Sequence, residues 1–202
     1  MKYHPIIFSA PNVRAILAGT KTQTRRVAKE KHRSFLNDLL ANFMSGEWAN
    51  RPLPYGKPGD RLWVRETWAE PTSLDPGPTF YRADYPLCVP RHFSNVPPAD
   101  QIKWKPSIHM RRNQSRIDLE ITGVRVERLQ DISEKDAIAE GIEPTMPNPG
   151  HWNWRDYLVD GGQTHAVLSY KTLWESINGT GSWDANPLVW VIAFRKLEGG
   201  AA

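Results

Sequence analysis

The stretch Gly19-Thr20-Lys21-Thr22-Gln23-Thr24-Arg25-Arg26 gathers an amine, three hydroxyls and two guanidinium groups in eight residues. Lysine acts as a base only when its pKa falls towards neutrality, which burial or nearby cations bring about. Arg25 and Arg26 are such cations. A threonine hydroxyl is a poor nucleophile until a base takes its proton. Lys21 and Thr24 are three residues apart, so they share a face in a helical turn but not in a straight strand. The break at Gly19 makes a turn the expected geometry. Other chemistries fail on their residues: there is no G-x-x-x-x-G-K-[ST] phosphate loop, no G-x-G-x-x-G and no H-E-x-x-H. The zinc nucleobase-deaminase pattern needs paired cysteines, and Cys88 stands alone. The six histidines (His4, His32, His92, His109, His151, His165) lie far apart without ligand-like spacing, so no metal and no cofactor is expected.

The elements that must position these groups follow from periodicity. Residues 5–9 read as a short strand, and Pro11 to Gly19 as a helix opened by proline and closed by glycine. Thr20 to Val27 reads as a turn leading into a strand, and 34–44 as a helix with Ser34 as its N-cap. Asp60 to Trp68 alternates Leu62, Val64 and Glu66 with Arg61, Trp63, Arg65 and Thr67, a strand pattern. Thr79 to Ala83 is a short strand between proline-rich segments. Arg116 to Leu129 is the longest strand signal, with a bulge or bend expected at Gly123. Ser133 to Gly141 carries a capping residue, acids in its first turn and a terminal glycine. A helix over Thr164 to Ile177 and a strand over Val189 to Leu197 complete the chain. Five or so strands with a few short helices, and no regular β-α alternation, imply an α+β protein, a small mixed β-barrel with helices at its rim.

The chain has 202 residues with 40% hydrophobic and 24% charged residues, a composition that fits one soluble domain over 1–198 followed by a short tail. No run approaches the length of a membrane span, and the N-terminal apolar run is too short for a signal peptide. One cysteine excludes an internal disulfide framework, so the expected setting is cytoplasmic, and the expected state a monomer with no membrane partner. The net charge of +4 is unevenly spread: residues 1–33 carry eight Lys/Arg against Glu30 alone, whereas 131–143 carry five acids against Lys135. Residues 103–128 add seven Lys/Arg against Asp118, Glu120 and Glu127. Basic clusters suit a polyanion and equally a solvated face. Trp63, Trp68, Trp152, Trp154 and Trp183 stand beside polar residues, as a base-stacking pocket would need, although core packing is the commoner role.

Three segments together resemble the ASCH family. The signature G-x-K-x-x-[TE]-x-R is met by Gly19, Lys21, Thr24 and Arg26. Gly59-Asp60 with Leu62 and Val64, and the terminal Trp190-Val-Ile-Ala-Phe-Arg195, supply the other two. The resemblance implies a PUA-like β-barrel associated with RNA and modified nucleosides. The chain also resembles the small bacterial N4-acetylcytidine amidohydrolases, in which a Lys and a Thr of the first motif act with a Glu from an I-E-V-T strand; Leu119-Glu120-Ile121-Thr122 matches that strand. As a whole it is most similar to larger ASCH-type proteins of phages and prophages. Where those proteins are expected to carry a Pro and a Trp after Ser107-Ile-His109-Met110, it has Arg111-Arg112-Asn113-Gln114. Segments 31–55, 70–114 and 144–165 are expected to be insertions relative to the minimal member.

What the resemblance implies is an amidohydrolase cleaving the acyl amide of N4-acylated cytosine nucleosides. Lys21 would be the base, Thr24 the nucleophile and Glu120 the acid that holds Lys21 or binds the cytosine amino group. Arg26, Glu66 and Trp68 are the substrate-binding candidates, with Glu66 otherwise a strand-end partner for Arg65 and Trp68 otherwise a barrel-closing side chain. A non-catalytic RNA-binding module and a metal-independent ribonuclease are the alternatives.

Overall fold

The computed structural model describes residues 1–29, 53–70, 77–93, 95–145 and 154–198. The helix expected over 34–44 lies outside the described residues, as do parts of the segments 31–55, 70–114 and 144–165 expected to be insertions. The architecture is α+β: a five-stranded mixed sheet of order β1-β3-β6-β9-β2, two two-stranded ribbons and few short helices. Among the described residues no helix is long and apolar enough to cross a membrane. The chain divides into two compact units, Met1–Gly19 with Gly59–Glu120 and Arg195–Ala202, and Thr20–Pro58 with Ile121–Phe194.

In the first unit, β1 (Tyr3–Ile7) pairs in parallel with β3 (Arg61–Arg65), Tyr3 opposite Arg61 and Ile7 opposite Arg65. The start of β6 (Asp118–Arg128) pairs antiparallel with β3, setting Leu119 against Leu62 and Glu120 against Arg61. The expected alternation holds: Leu62, Val64 and Glu66 are buried, whereas Arg61, Trp63 and Arg65 are half-buried. Helix α1 (Ala10–Leu17) starts with Pro11 in its first turn and buries Val13 and Ile16. It ends before Gly19, whose φ of +76° is the left-handed conformation that glycine adopts without strain. The short strands β4 (Trp68–Ala69) and β5 (Phe80–Tyr81) form a ribbon, and Ala69, Phe80 and Ile102 pack as a small cluster.

In the second unit, β2 (Gln23–Val27) runs antiparallel to β9 (Leu188–Lys196), pairing Thr24 with Ile192, Arg25 with Val191 and Arg26 with Trp190. Strand β9 is buried on both faces, which explains its continuous apolar run. Val189 and Val191 join a core with Leu129, Ile132, Ala137, Ile142, Tyr170, Trp174 and Trp183, whereas Leu188 and Trp190 join another with Val126. That first core is roofed by α2 (Glu134–Ala139) and α3 (Ala166–Asn178). Ser133 caps α2 as expected, its Oγ accepting the Asp136 N–H at 3.1 Å. No side chain of His165 caps α3; the Glu134 carboxylate of α2 accepts the Ala166 N–H at 2.7 Å in its place. The ribbon β7 (Trp154–Arg155) and β8 (Gly162–Gln163) lies beside α3. Strand β6 runs unbroken from Asp118 to Arg128 through Gly123.

Candidate active site

The segment after Gly19 is extended rather than turned. Lys21 forms an isolated antiparallel bridge with Glu140, the Thr22 N–H donates to the Ala139 carbonyl, and the Phe194 N–H donates to the Thr22 carbonyl. Strand hydrogen bonds therefore take up the backbone groups that a helical turn would have used. Alternation along β2 then separates the residues that a turn was expected to join. Arg25, opposite Val191, faces the core beneath α2 and α3; Thr24 and Arg26, opposite Ile192 and Trp190, face the other way.

Lys21 lies on the Arg25 side, because both cations meet the same carboxylate. The Lys21 Nζ donates to the Glu140 carbonyl at 2.7 Å and to its Oε2 at 2.9 Å, and the Arg25 Nη1 donates to Oε1 at 3.0 Å. Arg25 also donates through Nε and Nη2 to Glu127 Oε1, at 3.0 and 2.5 Å. Arg125 bridges the Glu127 Oε2 and the Asp136 Oδ2, each at 2.8 Å. Three cations thus meet three carboxylates. Lys21, Arg25 and Glu140 are the buried members, with side chains 2%, 0% and 4% exposed. A charge at such a depth is tolerated only when it is paired and hydrogen-bonded.

Burial pushes the Lys21 pKa below its ordinary value, Arg26 and Arg25 add to the effect, and the Glu140 charge and hydrogen bond oppose it. For Arg25 burial works downwards but loses to Glu140, Tyr170 and Glu127, so its pKa rises. Burial also drives the Tyr170 hydroxyl well above its usual range, 5.8 Å from its ring centroid to the Arg25 guanidinium carbon.

The other expected site residues are distributed as follows. Glu120 points away from buried Leu119 and Ile121, as the alternation required, and accepts from Arg195 Nη2 at 2.7 Å and Nε at 3.2 Å. The expectation that it holds Lys21 is corrected: the carboxylate bonded to Lys21 is Glu140. Thr24 is 3% exposed and Arg26 half-buried. Glu66 is not a partner for Arg65. It pairs with Arg116 at 2.9 and 3.1 Å, and Arg116 also grips Asp84 and lies 4.0 Å from the Tyr81 ring centroid. Arg65 instead donates to the Ser107 and Ile108 carbonyls. Burial raises the Glu66 pKa against the pull of Arg116. Trp68 is 3% exposed with the Lys105 ammonium 4.4 Å from its ring centroid, so it is a packing side chain and not a surface for a base.

Glu140, Glu127 and Asp136 belong to none of the sequence motifs. For Asp136 and Glu140 the signal was the acidic run over 131–143, opposite in sign to the basic N-terminal segment, whereas Glu127 sits in the basic 103–128 segment with no such signal. Among the described residues no group of three or more His, Cys, Asp or Glu side chains is arranged to hold a metal ion. Neither a family model, nor a curated protein, nor a solved structure matches this chain.

Proposed function

We propose that the chain hydrolyses N4-acylated cytosine nucleosides, on a PUA-like barrel of the ASCH type that its motifs resemble. The observation that carries this reading is the state of Lys21: it is 3% exposed, and burial depresses its pKa, in the segment that matches the family signature. A solvated lysine holds its proton too firmly to act as a base near neutral pH, and a desolvated one releases it.

Neutral Lys21 takes the proton of the nucleophile as that oxygen adds to the acyl carbon, and returns it to N4 as the carbon–nitrogen bond breaks. The cytosine amino group leaves intact. Thr24 lies on the opposite face of β2 from Lys21, so the oxygen that Lys21 serves is that of water, and collapse of the adduct releases the free acid in one step. Arg26, whose charge acts on Lys21, is assigned to the nucleoside.

The test is mass-spectrometric detection of cytidine from N4-acetylcytidine. The wild type is expected to release cytidine, and Lys21→Ala to lose roughly 100- to 10,000-fold in rate. Thr24→Ala is expected to keep most of the rate; a loss as large as that of Lys21→Ala would make the Thr24 hydroxyl the nucleophile. No cytidine from N4-acetylcytidine or from larger N4-acyl cytidines overturns the proposal in favour of RNA binding or metal-independent RNA cleavage.

A further inference from the structure

We infer that Glu140 is the positioning residue of this site, a clamp that holds the Lys21 amine through two oxygens of one residue while Arg25 locks the same carboxylate from its other side. Its catalytic meaning rests on the hydrolase reading above; its geometry does not.

Glu140 is fixed at every polar atom. As the C-cap of α2 its N–H donates back to the Asp136 and Ala137 carbonyls. Its own carbonyl accepts from Lys21 at 2.7 Å, its Oε2 accepts from Lys21 at 2.9 Å, and its Oε1 accepts from Arg25 at 3.0 Å. The following residue is Gly141, at a φ of +79°, a left-handed position that ends the helix and suits glycine. A carboxylate held at both oxygens cannot swing away from the amine. A neutral amine has two hydrogens and one lone pair. With two of its N–H bonds directed at Glu140 oxygens, the Lys21 amine cannot turn freely about its Cε–Nζ bond, so the clamp fixes the orientation in which Lys21 gives and takes a proton. Pre-set orientation of a proton acceptor is worth far more than the same group free to rotate.

The groups facing this pair come from every packed element. Arg25 and Arg26 lie on β2, Arg125 and Glu127 on β6, Asp136 on α2 and Tyr170 on α3. Of the carboxylates, Glu140 acts on Lys21 by both charge and hydrogen bond, and both favour the protonated form. Glu120 is occupied with Arg195.

The experiment follows the Lys21 Nζ titration in the full chain by NMR, with Lys21→Arg to assign the resonance. Glu140→Gln is expected to move the midpoint down by roughly 1 to 3 pH units, the usual effect of removing an opposite charge at contact. Glu120→Gln is expected to leave it in place. In the N4-acetylcytidine assay the limb that rises with Lys21 deprotonation moves down by the same interval, and kcat falls with KM unchanged. Glu140→Asp keeps the charge but shortens the reach, and is expected to lose kcat with a smaller shift of midpoint. An unmoved Lys21 midpoint in folded Glu140→Gln overturns the clamp. Should that variant not fold, the wild type decides: the Glu140 Cδ resonance must follow the Lys21 midpoint, and independent midpoints overturn the inference. Coupled titration in a wild type that releases no cytidine supports the clamp while rejecting the hydrolase reading.

Discussion

Lys21 is costly to place where it is. Its side chain is 2% exposed, and the charged form is stabilised there by Glu140 and opposed by two neighbouring arginines. The pH dependence has a definite sign. Below its folded pKa, Lys21 is protonated in the folded and unfolded chains alike, and the folded chain bears the whole cost of the buried charge. As pH rises from that value to the ordinary 10.5, the folded chain has lost the proton and the unfolded one still holds it, so stability increases. Wild type should therefore gain on Lys21→Met in that window, by at most about 1.4 kcal/mol per pH unit, in denaturant unfolding series. A flat difference would mean that burial does not depress the Lys21 pKa. The Arg116 site offers a comparison without catalytic colour. Arg116→Ala strands buried Glu66 and should cost about 3–5 kcal/mol, whereas Arg195→Ala removes an exposed pair with Glu120 and should cost less than about 1 kcal/mol.

At the scale of elements, β2 is the divider. Its pairing with β9 turns one short basic sequence into two chemical environments, Lys21 and Arg25 under the helices and Thr24 and Arg26 beyond the sheet. Helix α2 carries most of the burden of assembling the first environment. Its N-cap is Ser133, its first-turn Asp136 meets Arg125 at 2.8 Å, its Glu134 caps α3, and its C-cap is Glu140. Ser133→Ala should destabilise the fold by about 1 kcal/mol through the lost cap, read as a lower denaturation midpoint at unchanged slope. A changed slope would instead mean that the cap alters the extent of the folded core. Helix α2 is six residues long, too short to persist without tertiary support, so its hold on Glu140 depends on the packing of Ala137 beneath it.

For the whole molecule, the count of basic residues in the N-terminal segment overstates the cations that segment offers a partner. Of the basic N-terminal segment, Lys21 and Arg25 are consumed internally by Glu140, Glu127 and Asp136, and Arg14 donates to the Ala83 carbonyl at 2.9 Å. Hydrolysis of neutral N4-acetylcytidine should then change less than about twofold between low and moderate salt. Binding through many phosphates would weaken by orders of magnitude over the same range. A steep salt dependence of the hydrolysis rate itself would indicate a polyanionic substrate. The tryptophans follow a similar logic: Trp68, Trp174, Trp183 and Trp190 are all buried, so packing and not stacking accounts for those four.

The sequence by itself determined the α+β class, the strand at Arg61–Arg65, the length of β6, the capped helix after Ser133 and the placing of Glu66 on one face with Leu62 and Val64. Each of these rests on local periodicity or a local cap, which the backbone obeys wherever the segment lies. It also singled out Lys21 as the candidate base. Only the tertiary structure decided which carboxylate Lys21 meets. Glu140 lies 119 residues away, and no local pattern ranks it above Glu120. Nor could spacing decide between turn and strand for residues 20–27, since both suit the same polar residues. The backbone partners of Thr22 and the pairing of β2 with β9 settled it, and those bonds come from residues far along the chain. Side-chain direction in a strand follows from its partners, and a charge that must be buried is placed by whichever opposite charge the fold brings to it.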